Sequence, residues 1–355
     1  MILPWQNSDW QQLTSNRDRL HHGILVNARP GTGMREFAFA LAQFFICESP
    51  DQSNRSACQV CQNCRLFIAG SHPDFHAVTS EFETVHGRIS LLTAYSDRYQ
   101  DAKEREKKSR PSRVISVDQV RKLISRFSTH THIASTRVAL IMPADRLNTN
   151  AANALLKLLE EPPDQSILIL ATSETVRLPK TILSRCVLFS LAAPNRQQSL
   201  HWLEDFIPDE FRITALDLSN NEPLNARAMY EAGQLEDRQS YLKGLISTLE
   251  NKIYPLDLAQ KVAKMEFDNV LLWFAQFVIE LVVWKAAGQR PLWGNLGSVD
   301  PGVLSMDRLC ALYDRITHYR KISRGSVNEQ LAMEDLLISL QKVTERHRTV
   351  YKVKQ

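Results

Sequence analysis

The stretch that most constrains this chain runs from Val138 to Cys186, VALIMPADRLNTNAANALLKLLEEPPDQSILILATSETVRLPKTILSRC. The apolar run Val138 to Met142 reads as a buried strand and leads to an acidic turn at Asp145. Asn150 to Glu161 follows as a helix, with Ala154, Leu155, Leu158 and Leu159 at helical spacing. Pro162 and Pro163 stop it, because proline has no amide hydrogen to continue the ladder. A second apolar run, Ile167 to Ala171, ends in Thr172, and a basic segment leads to Ser184-Arg185-Cys186. Strand, helix and strand within about 35 residues predict a parallel α/β unit, whose ligand sites lie at the carboxyl ends of the strands.

Asn153 to Pro163, reading NALLKLLEEPP, followed by Ser184-Arg185-Cys186, resembles bacterial clamp-loader subunits of the AAA+ class. The resemblance implies an α/β AAA+ domain, a parallel sheet with helices on both faces, carrying a zinc module. A small helical lid domain and an all-α collar domain would follow. It implies that Arg185 is an arginine finger completing the ATP site of a neighbouring subunit, with Ser184 and Cys186 as its supporting motif.

A phosphate-binding loop is the next test. Gly23 to Asn27 reads as a strand, and Ala28-Arg-Pro-Gly-Thr-Gly-Met-Arg35 lies between it and a helix starting near Met34. A working loop reads G-x-x-x-x-G-K-[ST], in which the lysine reaches the β- and γ-phosphates and the hydroxyl binds Mg²⁺. Here Ala28 replaces the first glycine, Met34 the lysine and Arg35 the hydroxyl residue. Methionine cannot neutralise phosphate, and a guanidinium cannot ligate a cation. Gly31 and Gly33 keep the turn while the chemistry is lost. The resemblance also places Met142 and Pro143 where active relatives carry their adjacent acidic residues, with Asp145 three positions too late. Thr172 falls where the family keeps a phosphate-sensing polar residue. No functional ATP site is expected.

Cys47, Cys58, Cys61 and Cys64 form a C-x10-C-x2-C-x2-C pattern. Four thiolates suit tetrahedral Zn²⁺, and the close pairs present two sulfurs from one turn. A single C-x2-C pair also matches a redox motif, but three overlapping cysteines and a fourth favour structural zinc. His72 and His76 are not needed as ligands.

Residues 81–113 depart from the family length. Asp97 to Arg113 holds seven basic and four acidic residues with few apolar ones, which predicts an exposed or mobile insertion. Val114 to Arg121 reads as a short strand and then a helix capped by Ser116 with Gln119 three residues on. Beyond the strand Val187 to Leu191, Gln197 to Phe206, Phe211 to Leu218 and a helix from Asn225 read as the lid. Helices Tyr241 to Leu249, Leu256 to Met265, Val270 to Ala287, Met306 to Ile322 and Gln330 to His347 follow, with a Gly/Pro-rich break from Gly288 to Gly302. Val327 to Leu337 resembles the family's final collar helix. The expected domains are 1–190, with the zinc module near 47–64, then 191–234 and 235–355.

A chain of 355 residues accommodates such a series. Its net charge of +4 argues against a dedicated nucleic-acid binder, which concentrates far more charge on one face. Met1 to Trp10 lacks a signal pattern, so the expected location is cytoplasmic. Val270 to Trp284 contains Gln276 and Glu280 and falls short of a membrane span, so it reads as a bundle helix and no membrane partner is expected.

Through the resemblance, this chain is not an enzyme by itself. It serves a five-membered ring with gamma/tau motor subunits and a delta subunit, which loads a sliding clamp onto primed DNA. Two other readings are an active AAA+ ATPase with an unusual site and a zinc-containing DNA-binding adaptor. The first predicts turnover by the isolated chain. The second predicts tight, salt-dependent DNA binding without motor subunits.

Overall fold

The computed structural model describes residues 2–15, 20–51, 53, 55–86, 90–100, 111–128, 133–289, 291, 299–322 and 328–344. The chain forms two compact units, Met1–Arg227 and Ala228–Gln355.

The first unit is built on a parallel sheet of β1 (Gly23–Asn27), β2 (Phe75–Val78), β3 (Arg137–Ile141), β4 (Ser166–Thr172) and β5 (Val187–Ser190). Their order is β2-β3-β4-β1-β5, so β1 lies between β4 and β5. In register, Leu25 faces Leu170 on one side and Leu188 on the other. Every residue of β3 and β4 is buried. That is the pattern of strands covered on both faces, and it is why they read as unbroken apolar runs. Alternate residues supply two cores. Ile24, Val26, Val138, Leu140, Ile167 and Ile169 pack on the side of helix α2 (Met34–Ile46). Leu25, Ala139, Ile141, Leu168 and Leu170 pack with Leu123 and Phe127 of one helix and Leu155, Leu158 and Leu159 of another. The expected α/β class, with helices on both faces, is what the chain forms.

The helix after β3 spans Thr149–Glu160 and is capped by Asn148, whose side chain accepts from the Ala151 amide at 2.8 Å. It ends one residue before the expected Glu161. Glu161 precedes Pro162 and adopts φ −127°, ψ 70°, because a residue before proline is pushed out of the helical region. Ser116 and Gln119 form the expected capping box of helix Val117–Phe127. The short strand expected before it is instead a single bridge, Ile115 to Leu147.

Part of the expected insertion is core. Glu81–His86 and Ser90–Ser96 are helical, and Tyr95 and Tyr99 are completely buried. The Tyr95 hydroxyl accepts from the His72 amide at 3.1 Å and donates to Phe67 O at 2.9 Å. Of the two rings, Tyr99 lies in the stretch 97–113 whose charge pattern suggested an exposed insertion; residues 101–110 lie outside the described set. Helices Arg196–Leu203 and Asp209–Leu218, expected in the lid, belong to the first unit.

The second unit is helical: Gln234–Leu249, Pro255–Val262, Phe267–Ala287, Met306–Ile322 and Glu329–Gln341. Helix Phe267–Ala287 is long and apolar enough to cross a membrane by length and composition. Its Leu271, Phe274, Phe277, Val278 and Leu281 nevertheless form the core of this unit. The last helix ends at Gln341, short of the expected His347; Val327 and residues 345–347 lie outside the described set.

Candidate functional site

The phosphate-type loop between β1 and α2 is held by its own chain. Gly31 and Gly33 adopt φ of +65° and +95°, backbone that favours glycine. Trp5 Nε1 donates to Thr32 O at 2.9 Å, and Gln6 Nε2 donates to Gly33 O at 2.9 Å. From the other side the Leu224 amide donates to Gly31 O at 3.1 Å. A Cβ on Gly31 would lie 2.6 Å from Glu222 Cβ, and one on Gly33 would collide with Leu3 Cδ1. The segment before the helix Pro223–Glu231 therefore lies directly on the turn.

The cavity beside the loop, about 320 Å³, is lined by Arg29, Met34, Arg35, Phe82, Glu83 and Pro143 among others. Met34, Arg35 and Pro143, three of the substitutions singled out in the sequence, thus line one space. Arg35 is engaged: its two terminal nitrogens meet the two carboxylate oxygens of Glu83 at 2.6 and 2.7 Å. Burial raises the carboxyl pKa of Glu222, against hydrogen bonding to Asn225 and the charge of Arg29. Glu83 and Glu222 thus stand beside Arg35 and Arg29, so carboxylates offset part of the positive charge that a polyphosphate would need there. The chain order gave no sign of Glu83 or Glu222 here, because each arrives from a distant segment.

At the end of β4, Thr172 is fully buried and its hydroxyl donates to Asp145 Oδ1 at 2.7 Å. Asp145 also pairs with Arg146 Nε at 3.3 Å. The hydroxyl proton of Thr172 is thus committed to the acidic turn.

Arg185 follows the short helix Lys180–Leu183, just before β5. Its side chain is about one-third exposed. Nη1 donates to Thr181 O at 2.9 Å and to Ser184 Oγ at 3.2 Å. Nη2 lies 2.6 Å from Glu160 Oε1. Among the described residues β5 is an edge strand, paired with β1, and it leaves Val187 and Leu188 about half exposed. Cys186 faces inward against Gly23 and Leu159. Burial pushes its thiol up to about 11, which disfavours the thiolate a nucleophile requires.

Cys47, Cys58, Cys61 and Cys64 converge, with all four sulfurs within 4.8 Å of one another. Cys47 Sγ and Cys61 Sγ are 4.0 Å apart, and Cys58 Sγ and Cys64 Sγ 3.9 Å. The amides of Cys58, Cys61 and Cys64 each lie 3.3 Å from the sulfur of the preceding cysteine of the set. These hydrogen bonds stabilise thiolates, and the amide of Cys61 is the largest cause of the Cys58 pKa falling to about 6. Burial acts oppositely on Cys47 and Cys64. A tetrahedron of 2.3 Å metal–sulfur bonds has sulfur–sulfur edges of about 3.8 Å, so the set fits a metal ion of that preference. His72 and His76 stay outside it. His72 Nδ1 accepts from the Asp74 amide, and His76 Nδ1 meets the Tyr99 hydroxyl at 2.5 Å.

A parallel sheet of this order, a loop of phosphate-binding type after β1 and a helical C-terminal unit define the class: a parallel α/β protein built on a phosphate-loop-type turn, with a helical unit after it. A family described as "DNA polymerase III, delta subunit" matches residues 5–195, and the chain belongs to that family. Similar curated proteins include DNA polymerase III subunit delta' of Pseudomonas aeruginosa, 29% identical over 352 residues, spanning 95% of this chain and 96% of the relative. The subunit delta' of Escherichia coli K12 is 28% identical over 355 residues, 95% of each chain. Among solved structures, a gamma-subunit-related protein of Thermotoga maritima aligns over 95% of this chain and all of its own, at 16% identity and a TM-score of 0.47.

Proposed function

We propose that this chain is the delta'-type subunit of a bacterial DNA polymerase III clamp loader, silent in ATP hydrolysis, which supplies Arg185 in trans to a neighbour's ATP. The observation that carries the reading is the contrast within one unit. The loop that would hold this chain's own nucleotide is faced by Glu83 and Glu222, while Arg185 stands partly exposed on the edge of the sheet. A guanidinium offsets charge on a transferred phosphoryl group, an effect of about 10³ to 10⁵ in rate where such fingers have been studied. The exposed apolar Val187 and Leu188 beside it are what a docking neighbour would cover.

Gamma/tau motor subunits and a delta subunit complete the ring in this reading, which places a sliding clamp on primed DNA in the bacterial cytosol. The helices of residues 191–234 serve as a lid fixed over the degenerate loop, and residues 235–355 as the collar. Cys47, Cys58, Cys61 and Cys64 hold a structural Zn²⁺. The ion cross-links the end of α2 to the helix Gln62–Ile68.

The test is DNA-stimulated ATPase of the reconstituted loader carrying wild-type subunit or Arg185→Ala. Large loss of turnover in an intact ring is expected. Undiminished turnover, with the variant subunit shown to be present, would leave an adaptor role and remove the finger.

A further inference from the structure

Three contacts hold the head of Arg185, and one of them comes from a different element. Thr181 and Ser184 belong to the same local turn as the arginine, whereas Glu160 is the last residue of the helix Thr149–Glu160. That helix is rigidly seated, with Leu155, Leu158 and Leu159 buried in the core of the sheet. A carboxylate at a helix C-terminus faces the negative end of the helix dipole, so Glu160 is poorly placed to stabilise its own helix. The pair is also about one-third to one-half exposed, where ion pairs add little to stability. What the contact does well is restrict direction.

We propose that Glu160 is the positioning residue for Arg185. This rests on the reading of Arg185 as a finger. An arginine side chain has many rotamers, and an unrestrained one must be ordered anew each time it meets a transition state. With both Nη1 hydrogens spent on Thr181 and Ser184 and one carboxylate oxygen at Nη2, the head is oriented in advance. A guanidinium has five N–H donors, so donors on Nε and Nη2 remain for the oxygens of a phosphoryl group. No bond is made or broken at Glu160. It acts only through the arginine, so its effect belongs in turnover and not in ATP binding, which the neighbour's own loop performs.

The experiment is steady-state, DNA-stimulated ATPase of the reconstituted loader with Glu160→Gln, Glu160→Asp, Arg185→Ala and the double variant Glu160→Gln/Arg185→Ala. Glu160→Gln is expected to lower kcat about three- to tenfold with KM for ATP unchanged. Glu160→Asp, which keeps the charge, should recover part of the loss. The double variant should be no slower than Arg185→Ala, since a residue acting only through the arginine has nothing left to position. Wild-type kcat for Glu160→Gln beside an impaired Arg185→Ala would overturn the positioning role and leave the finger standing. A further loss in the double variant would do the same. Full turnover by Arg185→Ala would overturn both.

Discussion

Gly33 is the most demanding position of the loop. Its φ of +95° is one that a side chain adopts only with strain, and the space for a Cβ is filled by Leu3. Gly33→Ala should cost about 1–3 kcal/mol in urea unfolding even though no ligand is involved. The substitutions at Met34, Arg35 and Pro143 were legible in the chain because they are matters of side-chain identity alone. Glu83, Glu222 and the partner of Arg185 were not, since nothing local announces a contact made across dozens of residues. The buried histidines give a second expectation. Desolvation lowers the pKa of His72, and that of His76 to about 4. The unfolded chain protonates these rings near pH 6.5, the folded chain only at lower pH, so between these limits the unfolded state binds more protons. The contribution of these two rings to stability should therefore be constant above about pH 6.5 and fall as pH drops toward 4. Urea midpoints at pH 7.5 and pH 5 should show the fall, and His76→Gln should shrink it.

Among the elements, those whose burial is double-sided were the plainest in the sequence. β1 has the expected ends, and β3 and β4 shift by one residue at their ends. The segment before Ser116 is not a sheet strand: Ile115 makes a single bridge with Leu147, in the turn after β3. The stretch from Asp97 misled for another reason: charge dominates its composition, yet Tyr99 within it is completely buried. Tyr95→Phe would leave the buried His72 amide without its hydroxyl partner and should cost about 1–3 kcal/mol, read by denaturant unfolding. The cysteine cluster is the clearest element-scale case, since its spacing foretold a convergence that the sulfurs display. Cys64→Ser is expected to reduce bound zinc below one ion per chain by elemental analysis. It should destabilise the first unit by about 3 kcal/mol.

At the scale of the whole molecule the chain divides into an α/β unit and a helical unit, each with its own core. The sequence anticipated this division through the shift from strand-bearing to wholly helical periodicity. Within this division the helices directly after β5 group with the sheet they follow. Gly233, at φ +67°, is a natural stopping point before the helix Gln234–Leu249. A fragment ending at Gly233 should fold alone, keep its four-cysteine site and melt cooperatively by circular dichroism.

The clasp on the loop by Trp5, Gln6 and Leu224 has one more consequence. A ligand shifts a conformational equilibrium only to the extent that it binds one state better than another. If the loop is silent, as proposed, a shape set by indole, amide and backbone offers adenine nucleotides no second state to select. On the proposed reading, its shape does not follow the cell's energy charge. Within a machine whose other parts cycle with fuel, such a subunit is the stator, the fixed frame against which each stroke is made.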